Sequence, residues 1–496
     1  MTNSLLEEVM TVSLRRGIIY PTAEIYGGLA GFYDFGPIGT RIRNHLIRLW
    51  RTRFVENRDN VFEVSGNTLL PSPVFKASGH LDHFTDPSAE CSKGHITRVD
   101  QLIEERLKIP AEGKPNEELE AIVREKKLRC PICGDHLGEV KRFGLMFGTS
   151  VGGEHREAFL RPETAQNIFL GFKRIQTALR AKLPFGVAQI GHSYRNEISP
   201  RQSIVRVREF GQMEIEYFVD PNQLDACPLF DELAQVPINF VTRENQEKAA
   251  EQSTTDFASI QISVQEAFEK KFVPNQWMAC ILGDEVEFFK LLGIPDKAIR
   301  FRHMRPEETP HYSGGNFDLE VHLSFGWKEV IGNAYRRDHD LKSHMVGSQK
   351  DLSYDLEGAK VIPHVLEPSF GIDRLIYAIL EHTYRPKDKT RGWTWFQLPP
   401  QLAPYHAVIL PLLNRPELEE KATTLYSVCR GQGLDVLYDA SGRIGRRYAR
   451  ADEIGIPKAV TIDPQSLEDE TVTIRDRNTG NQTRHLLIEI PSLLEL

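Results

Sequence analysis

Apolar and polar positions alternate with period two in two neighbouring stretches near the middle of the chain, which predicts a pair of strands. In the first, Val187 to Tyr194, Ala188, Ile190, His192 and Tyr194 share one side; Gln189, Gly191, Ser193 and Arg195 share the other. In the second, Val207 to Val219, one face carries Val207, Gly211, Met213, Ile215, Tyr217 and Val219. The opposite face carries Arg208, Phe210, Gln212, Glu214, Glu216 and Phe218. A strand that closes a core with one face and presents Gln, Arg and Glu from the other is suited to the floor of a polar pocket. The loop between them, Arg195-Asn196-Glu197-Ile198-Ser199-Pro200-Arg201, is too long and too rich in arginine for a tight turn.

The same reading places the other elements. Residues 4–16 form a short amphipathic helix, and the Gly- and aromatic-rich segment 17–39 a hairpin-like surface element. A helix from about Ile38 to Val55 carries Ile42, Leu46, Leu49, Trp50 and Phe54 on one stripe. With the strand that follows it, this helix suits either a dimer-forming unit or ordinary packing within its own domain. Residues 144–179 read as strand, turn, strand and helix, with Glu163 at a strand exit and Thr164 at the helix start. Asp318, Glu320 and His322 alternate with Leu319, Val321 and Leu323 on a one-sided polar strand; Glu329 and Val330 lie on the next. A strand ending at Glu367-Pro368-Ser369 turns at Gly371 into a helix with Arg374 in its first turn, where the helix dipole disfavours a cation unless an anion faces it.

The expected division is 1–79, an insertion at 80–143, 144–221, a mainly helical and solvated insertion at 222–310, 311–390, a Pro-rich linker at 391–404, and a C-terminal α/β domain at 405–496. The fold class is α+β. A chain of 496 residues exceeds one core, and its 40% apolar and 26% charged content is ordinary for a soluble protein. No apolar run approaches the roughly 20 residues of a membrane helix. The net charge of −8 argues against nonspecific nucleic-acid coating and leaves room for local basic patches, such as Arg443, Arg446, Arg447 and Arg450.

Six cysteines in so long a chain do not form a secreted disulfide framework, so a cytoplasmic location is expected. Cys91 and His95 open the first insertion and Cys130 and Cys133 close it, with a charged helical segment at about 99–127 between them. The Cys130–Cys133 knuckle with the distant Cys/His pair makes a candidate structural zinc site; a metal-free pair of thiols is the competing reading. Neither a Walker loop nor a dinucleotide-binding glycine motif is present, which weakens parallel-sheet nucleotide folds.

Five blocks in order carry a family resemblance. YRNEISPR with RVREFGQMEIEYF resembles motif 2 of class II aminoacyl-tRNA synthetases, in the form found in the dimeric glycyl enzymes. EPSFGIDRLIYAIL is similar to their motif 3, VFEVSGNTLLPSPVFKASGH to motif 1, AFLRPETAQNIF to an intervening block, and GRRYARADEIGIPKAVTID to the anticodon-binding domain. The resemblance implies an antiparallel-sheet catalytic domain that activates glycine with ATP and Mg²⁺ and charges tRNA(Gly) as a homodimer.

It also implies roles by position. Arg195 would hold the α-phosphate and Arg374 the γ-phosphate, with Glu197 at the adenine amino group, Phe210 stacked on adenine and Glu329 on Mg²⁺. Asn196, Val205, Arg206, Val207, Arg208, Val330 and Gly371 would line the ATP. Glu163, Glu214 and Ser369 would surround the glycine ammonium and Arg336 would bind its carboxylate, with Arg98, Gln212, Glu367 and Gly371 nearby. Arg337 competes with Arg336, which is preferred. Asp373 departs from the small residue frequent before the motif 3 arginine. Ser199, Pro200 and Arg201 are expected to move on substrate arrival. The competing functions are another class II synthetase with the same C-terminal domain, which the acid set disfavours, and a non-catalytic tRNA-binding paralogue.

Overall fold

The computed structural model describes residues 4–111, 113–200, 202–252, 254, 256–309 and 313–495. Its centre is a nine-stranded sheet built from β1 (Val61–Val64), β2 (Phe185–Tyr194), β3 (Glu209–Val219), β4 (Pro237–Val241), β5 (Ile260–Ser263), β6 (Ile299–His303), β7 (Asn316–Leu323), β8 (Gly326–Arg337) and β9 (His364–Gly371). Their order across the sheet is β5-β4-β6-β7-β8-β9-β3-β2-β1. The pairings are antiparallel except β1 with β2 and β4 with β6.

The two strands expected from alternation are β2 and β3, paired from Phe185 opposite Phe218 to Tyr194 opposite Glu209. The apolar face of β3 packs with α1 (Pro37–Arg51) and α2 (Ile372–Thr383) in the main core, where Ile42, Trp50, Met213, Ile215 and Ile372 are buried. Gly211 sits where this packing is closest: a Cβ there would lie 2.9 Å from Ile372 and 3.3 Å from Arg43.

Residues 222–305 correct the expectation of a solvated helical bundle. β4, β5 and β6 come from this segment and extend the nine-stranded sheet. Its main helix, Gln276–Phe289, has 12 of its 14 residues buried. The charged runs at 243–271 hid this, because their polarity masked the short strand Pro237–Val241 just before them and Ile260–Ser263 among them. The charged helical segment expected at 99–127 is likewise two helices, Val99–Leu107 and Asn116–Glu125, around a small core with a three-stranded sheet. Pro110, Gly113 and Pro115 fall in the break and prevent one continuous helix.

The C-terminal unit carries β10 (Ala407–Pro411), β11 (Val436–Tyr438), β12 (Lys458–Ile462), β13 (Thr471–Asp476) and β14 (Gln482–Leu486) in the order β11-β10-β12-β13-β14. Its arginine cluster divides. Arg443 and Arg446 are exposed, whereas Arg447 is buried and donates to the carbonyl oxygens of Pro411, Ala440 and Gly442. Arg450 pairs with Asp439 at 2.6 Å. No helix among the described residues is long and apolar enough to cross a membrane.

Candidate functional site

A cavity of about 350 Å³ opens over the polar face of the sheet. Phe210, Gln212 and Glu214 from β3, Glu329, Val330 and Arg336 from β8, and Glu367, Ser369 and Gly371 from β9 line it, with Arg374 from α2. The loop after β2 contributes Arg195 and Glu197, and the segment before β3 contributes Val205, Arg206 and Val207. Antiparallel pairing explains the convergence: Glu214 lies opposite Ser369, and Ala334 opposite Glu367, so side chains distant in sequence share one face.

One end of the cavity is built from acids around one arginine. The Arg336 guanidinium donates to Glu367 at 2.5 Å, to Asp340 at 2.7 and 2.9 Å and to Glu163 at 3.4 Å. Arg337 is exposed, so Arg336 is the arginine that reaches the cavity. Burial pushes the Glu163 carboxyl up, but Arg336 and His80 draw it well below the usual carboxylate range. Burial and the neighbouring Glu163 charge push Glu214 the other way. The Thr164 hydroxyl donates to Glu214, and this contact opposes the upward shift. Gln212 donates to Ser369 at 3.0 Å and accepts from Ser193, which fixes its amide orientation.

The other end carries the cations. Arg195 donates to the Pro162 carbonyl at 3.2 Å, and its guanidinium lies 5.4 Å from the Phe84 ring and 5.3 Å from the Phe210 ring. Arg206 pairs with Glu197 at 2.6 Å. Arg374 donates to the Glu329 carboxylate at 2.9 Å and to the Val205 carbonyl at 3.1 Å. Burial raises the Glu329 carboxyl, but Arg374 and Arg195 bring it below its ordinary value. Glu329 and the neighbouring Asp318 supply hard carboxylate oxygens of the kind Mg²⁺ takes.

Asp373, unexplained by sequence, has a structural task. Its carboxylate accepts the Gly211 backbone N–H at 2.6 Å and ties the start of α2 to β3 beside Arg374.

Three residues expected at the site stand apart from this cavity. Arg98 lines an adjoining cleft of about 940 Å³ and pairs with Asp86 and Asp100 at 2.8 and 2.9 Å. Arg208 donates instead to the carbonyls of Glu197 and Ala30, bracing the loop against the first hairpin. Asn196 uses its backbone N–H on the Leu145 carbonyl and is absent from the lining of both spaces. Pro200 packs close to Gly31, and Arg201 lies outside the described residues.

Sequence reasoning missed the residues that hold the site from behind. Arg161, 1% exposed, donates to the carbonyls of His192, Gly66 and Asn67 and to the Asn167 side chain. His80 approaches Glu163 at 3.7 Å. Asp340 follows Arg336 by four residues and pairs with it at 2.7 Å from the next helix, outside both the strand pattern and the motifs.

Outside the cavity, Cys91, His95, Cys130 and Cys133 converge, with one ligand atom of each within 4.8 Å of the others. Burial pushes the Cys130 thiol up, but the backbone N–H groups of Cys133 and Ile132 and the neighbouring thiols draw it down to about 6. The donor set is that of a closed tetrahedral zinc site.

Comparison with known proteins bears directly on this arrangement. Residues 150–383 match the tRNA synthetase class II core domain (G, H, P, S and T), and residues 406–495 match the anticodon binding domain. The chain is similar to curated proteins named glycine–tRNA ligase. The relative from Methanocaldococcus jannaschii is 38% identical, covering 100% of this chain and 99% of the relative. That from Aeropyrum pernix is 39% identical over 98% and 95%, and that from Pyrococcus furiosus 38% identical over 99% and 98%. The chain belongs to the glycine–tRNA ligase family.

Within the glycine–tRNA ligase family match, the core domain takes in the whole cavity floor, from Glu163 to Arg374. The Cys/His cluster precedes residue 150 and lies outside that domain. The family's antiparallel core and C-terminal anticodon domain agree with the fold class expected from sequence.

Proposed function

We propose that the protein is an ATP-dependent glycine–tRNA ligase. The observation that carries this is a cavity of about 350 Å³ with a carboxylate-rich end suited to an ammonium group beside an arginine-rich end suited to a triphosphate. Glycine has no side chain to recognise, so its pocket must grip the ammonium and crowd the α-carbon. Glu163, Glu214 and Glu367 with the small Ser369 meet that need.

In this reading an oxygen of the glycine carboxylate attacks the ATP α-phosphorus, the bond to the bridging oxygen breaks, and pyrophosphate leaves with that electron pair. Arg195 stabilises charge developing at the α-phosphate and Arg374 holds the γ-phosphate. Val205, Val207, Val330 and Gly371 shape the walls around the nucleotide. Glu329 would hold Mg²⁺, which supplies charge neutralisation between phosphates. A terminal ribose hydroxyl of the tRNA then attacks the glycyl carbonyl carbon and AMP departs. Arg336 reaches the substrate carboxylate while its other donors stay on Asp340 and Glu367.

The family resemblance also supports a cytoplasmic homodimer, and the exposed Ile25, Tyr26 and Leu29 of the first hairpin offer it apolar surface. Zinc at Cys91, His95, Cys130 and Cys133 would brace the 80–143 insertion. Glycine-dependent ATP–pyrophosphate exchange tests the assignment. Exchange supported by serine or proline and not by glycine would refute it.

A further inference from the structure

Glu216 lies on the pocket side of β3, two residues beyond Glu214, yet it does not line the cavity. It is fully buried, and neither of its carboxyl oxygens has a hydrogen-bond partner among the described residues. The register that pairs Glu214 with Ser369 and Tyr217 with Leu366 sets Glu216 opposite Glu367 on β9. One oxygen from each of Glu214, Glu216 and Glu367 lies within 4.8 Å of the other two. Like charges facing each other across buried strands repel.

The groups around Glu216 do not offset three negative charges. Glu163 and Asp340 add two further acids from neighbouring elements. Arg336 commits its hydrogen bonds to Asp340, Glu367 and Glu163. His80 stands beside Glu163, and the His344 ring is bonded to Gln166. A buried carboxylate without a partner is the costliest state open to such a side chain, and it takes up a proton instead. A proton also supplies what Glu216 lacks, an O–H to donate to an acceptor across the strand pair.

We infer that Glu216 is a positioning residue of the amino-acid pocket: it is the uncharged carboxyl behind Glu367 and Glu214, and its O–H fixes the orientation and charge these two present to the substrate ammonium. The inference rests on the glycine reading for the identity of that substrate. Burial and the facing Glu367 push Glu216 well above the ordinary carboxyl value, in agreement with the geometry. The role is distinct from contact with substrate, which Glu214 and Glu367 make.

Two measurements on the full-length protein test it. The infrared carbonyl band of a protonated carboxylic acid should be present at neutral pH without substrate and should lose intensity in E216Q. In pyrophosphate exchange, E216A should raise the glycine KM about 10- to 100-fold, the worth of one lost hydrogen bond to a charged group, with kcat within about threefold. E216Q, whose amide N–H can donate to Glu367, should recover most of that KM. An unchanged infrared band in E216Q, a glycine KM in E216Q as high as in E216A, or a stoichiometric divalent cation lost on E216Q substitution would each overturn the proposal. The infrared result does not depend on which amino acid is activated, so its failure is distinguishable from failure of the glycine assignment.

Discussion

Thr164 stands at the start of the helix Ala165–Leu179 but does not cap it; its hydroxyl turns to Glu214. Both residues are fully buried, and the second Glu214 oxygen has no hydrogen-bond partner among the described residues. Substituting T164V keeps the side-chain shape and removes the donor. Burial and Glu163 already push the Glu214 carboxyl up, and Thr164 is the neighbour whose hydroxyl counters them most. Its loss therefore raises that pKa further and favours the neutral acid, which attracts an ammonium group weakly. A hydrogen bond to a charged group contributes about 1.5–3 kcal/mol. At roughly 1.4 kcal/mol per decade, the glycine KM should rise about 10- to 100-fold. The ATP KM should move little, because Glu214 lies at the acid end of the cavity, away from Arg195 and Arg374. Pyrophosphate exchange at varied glycine and varied ATP separates the two. T164S, which retains the hydroxyl, should restore the glycine KM. A glycine KM within threefold of the parent in T164V, with the fold intact by circular dichroism, would refute the reasoning.

Three further outcomes are expected. R374A removes the donor set on Glu329 and the Val205 carbonyl and should lower exchange by about 10²–10³-fold, the range for one lost transition-state donor, while tRNA binding by filter retention stays near the parent value. G191A would place a Cβ 2.2 Å from the Arg161 guanidinium; overpacking of this kind costs about 1–3 kcal/mol and should lower the urea midpoint, whereas an unchanged midpoint would show that Arg161 can move aside. Burial, with Arg243, lowers the His303 pKa to about 3, so its ring is neutral in the folded protein and gains a proton on unfolding at any pH between that value and 6.5. Stability should therefore fall as pH drops from 6.5 towards 3, and H303F, which keeps a ring against Phe317, should flatten that slope in urea titrations at stepped pH.

Much of the site was legible because β-strands repeat every two residues. Alternation alone put Phe210, Gln212, Glu214 and Glu216 on one face, and the family motifs added Arg195, Glu329 and Arg374. What stayed hidden were partners that no period connects. Asp340, His80 and Thr164 reach pocket residues from a helix, a short helix and a helix start, and Arg161 works from beneath through backbone carbonyls. The charge of Arg98 and Arg208 was visible, but not that Asp86 with Asp100, and Ala30 with Glu197, would hold them off the cavity.

The sequence by itself determined the two-faced strands, the order of motifs, the Cys/His spacing and the α/β pattern of the C-terminal unit, because these are local rules of period and turn chemistry. Tertiary structure decided that residues 222–305 extend the catalytic sheet, since strand pairing at a sheet edge depends on partners far along the chain. It also decided which buried acid meets an arginine and which meets another acid. Glu163 and Glu367 lie against Arg336, while Glu216 faces Glu367 and forms no ion pair among the described residues. Charge state in a buried pocket depends on distances between strands, and those distances exist only once the sheet has formed.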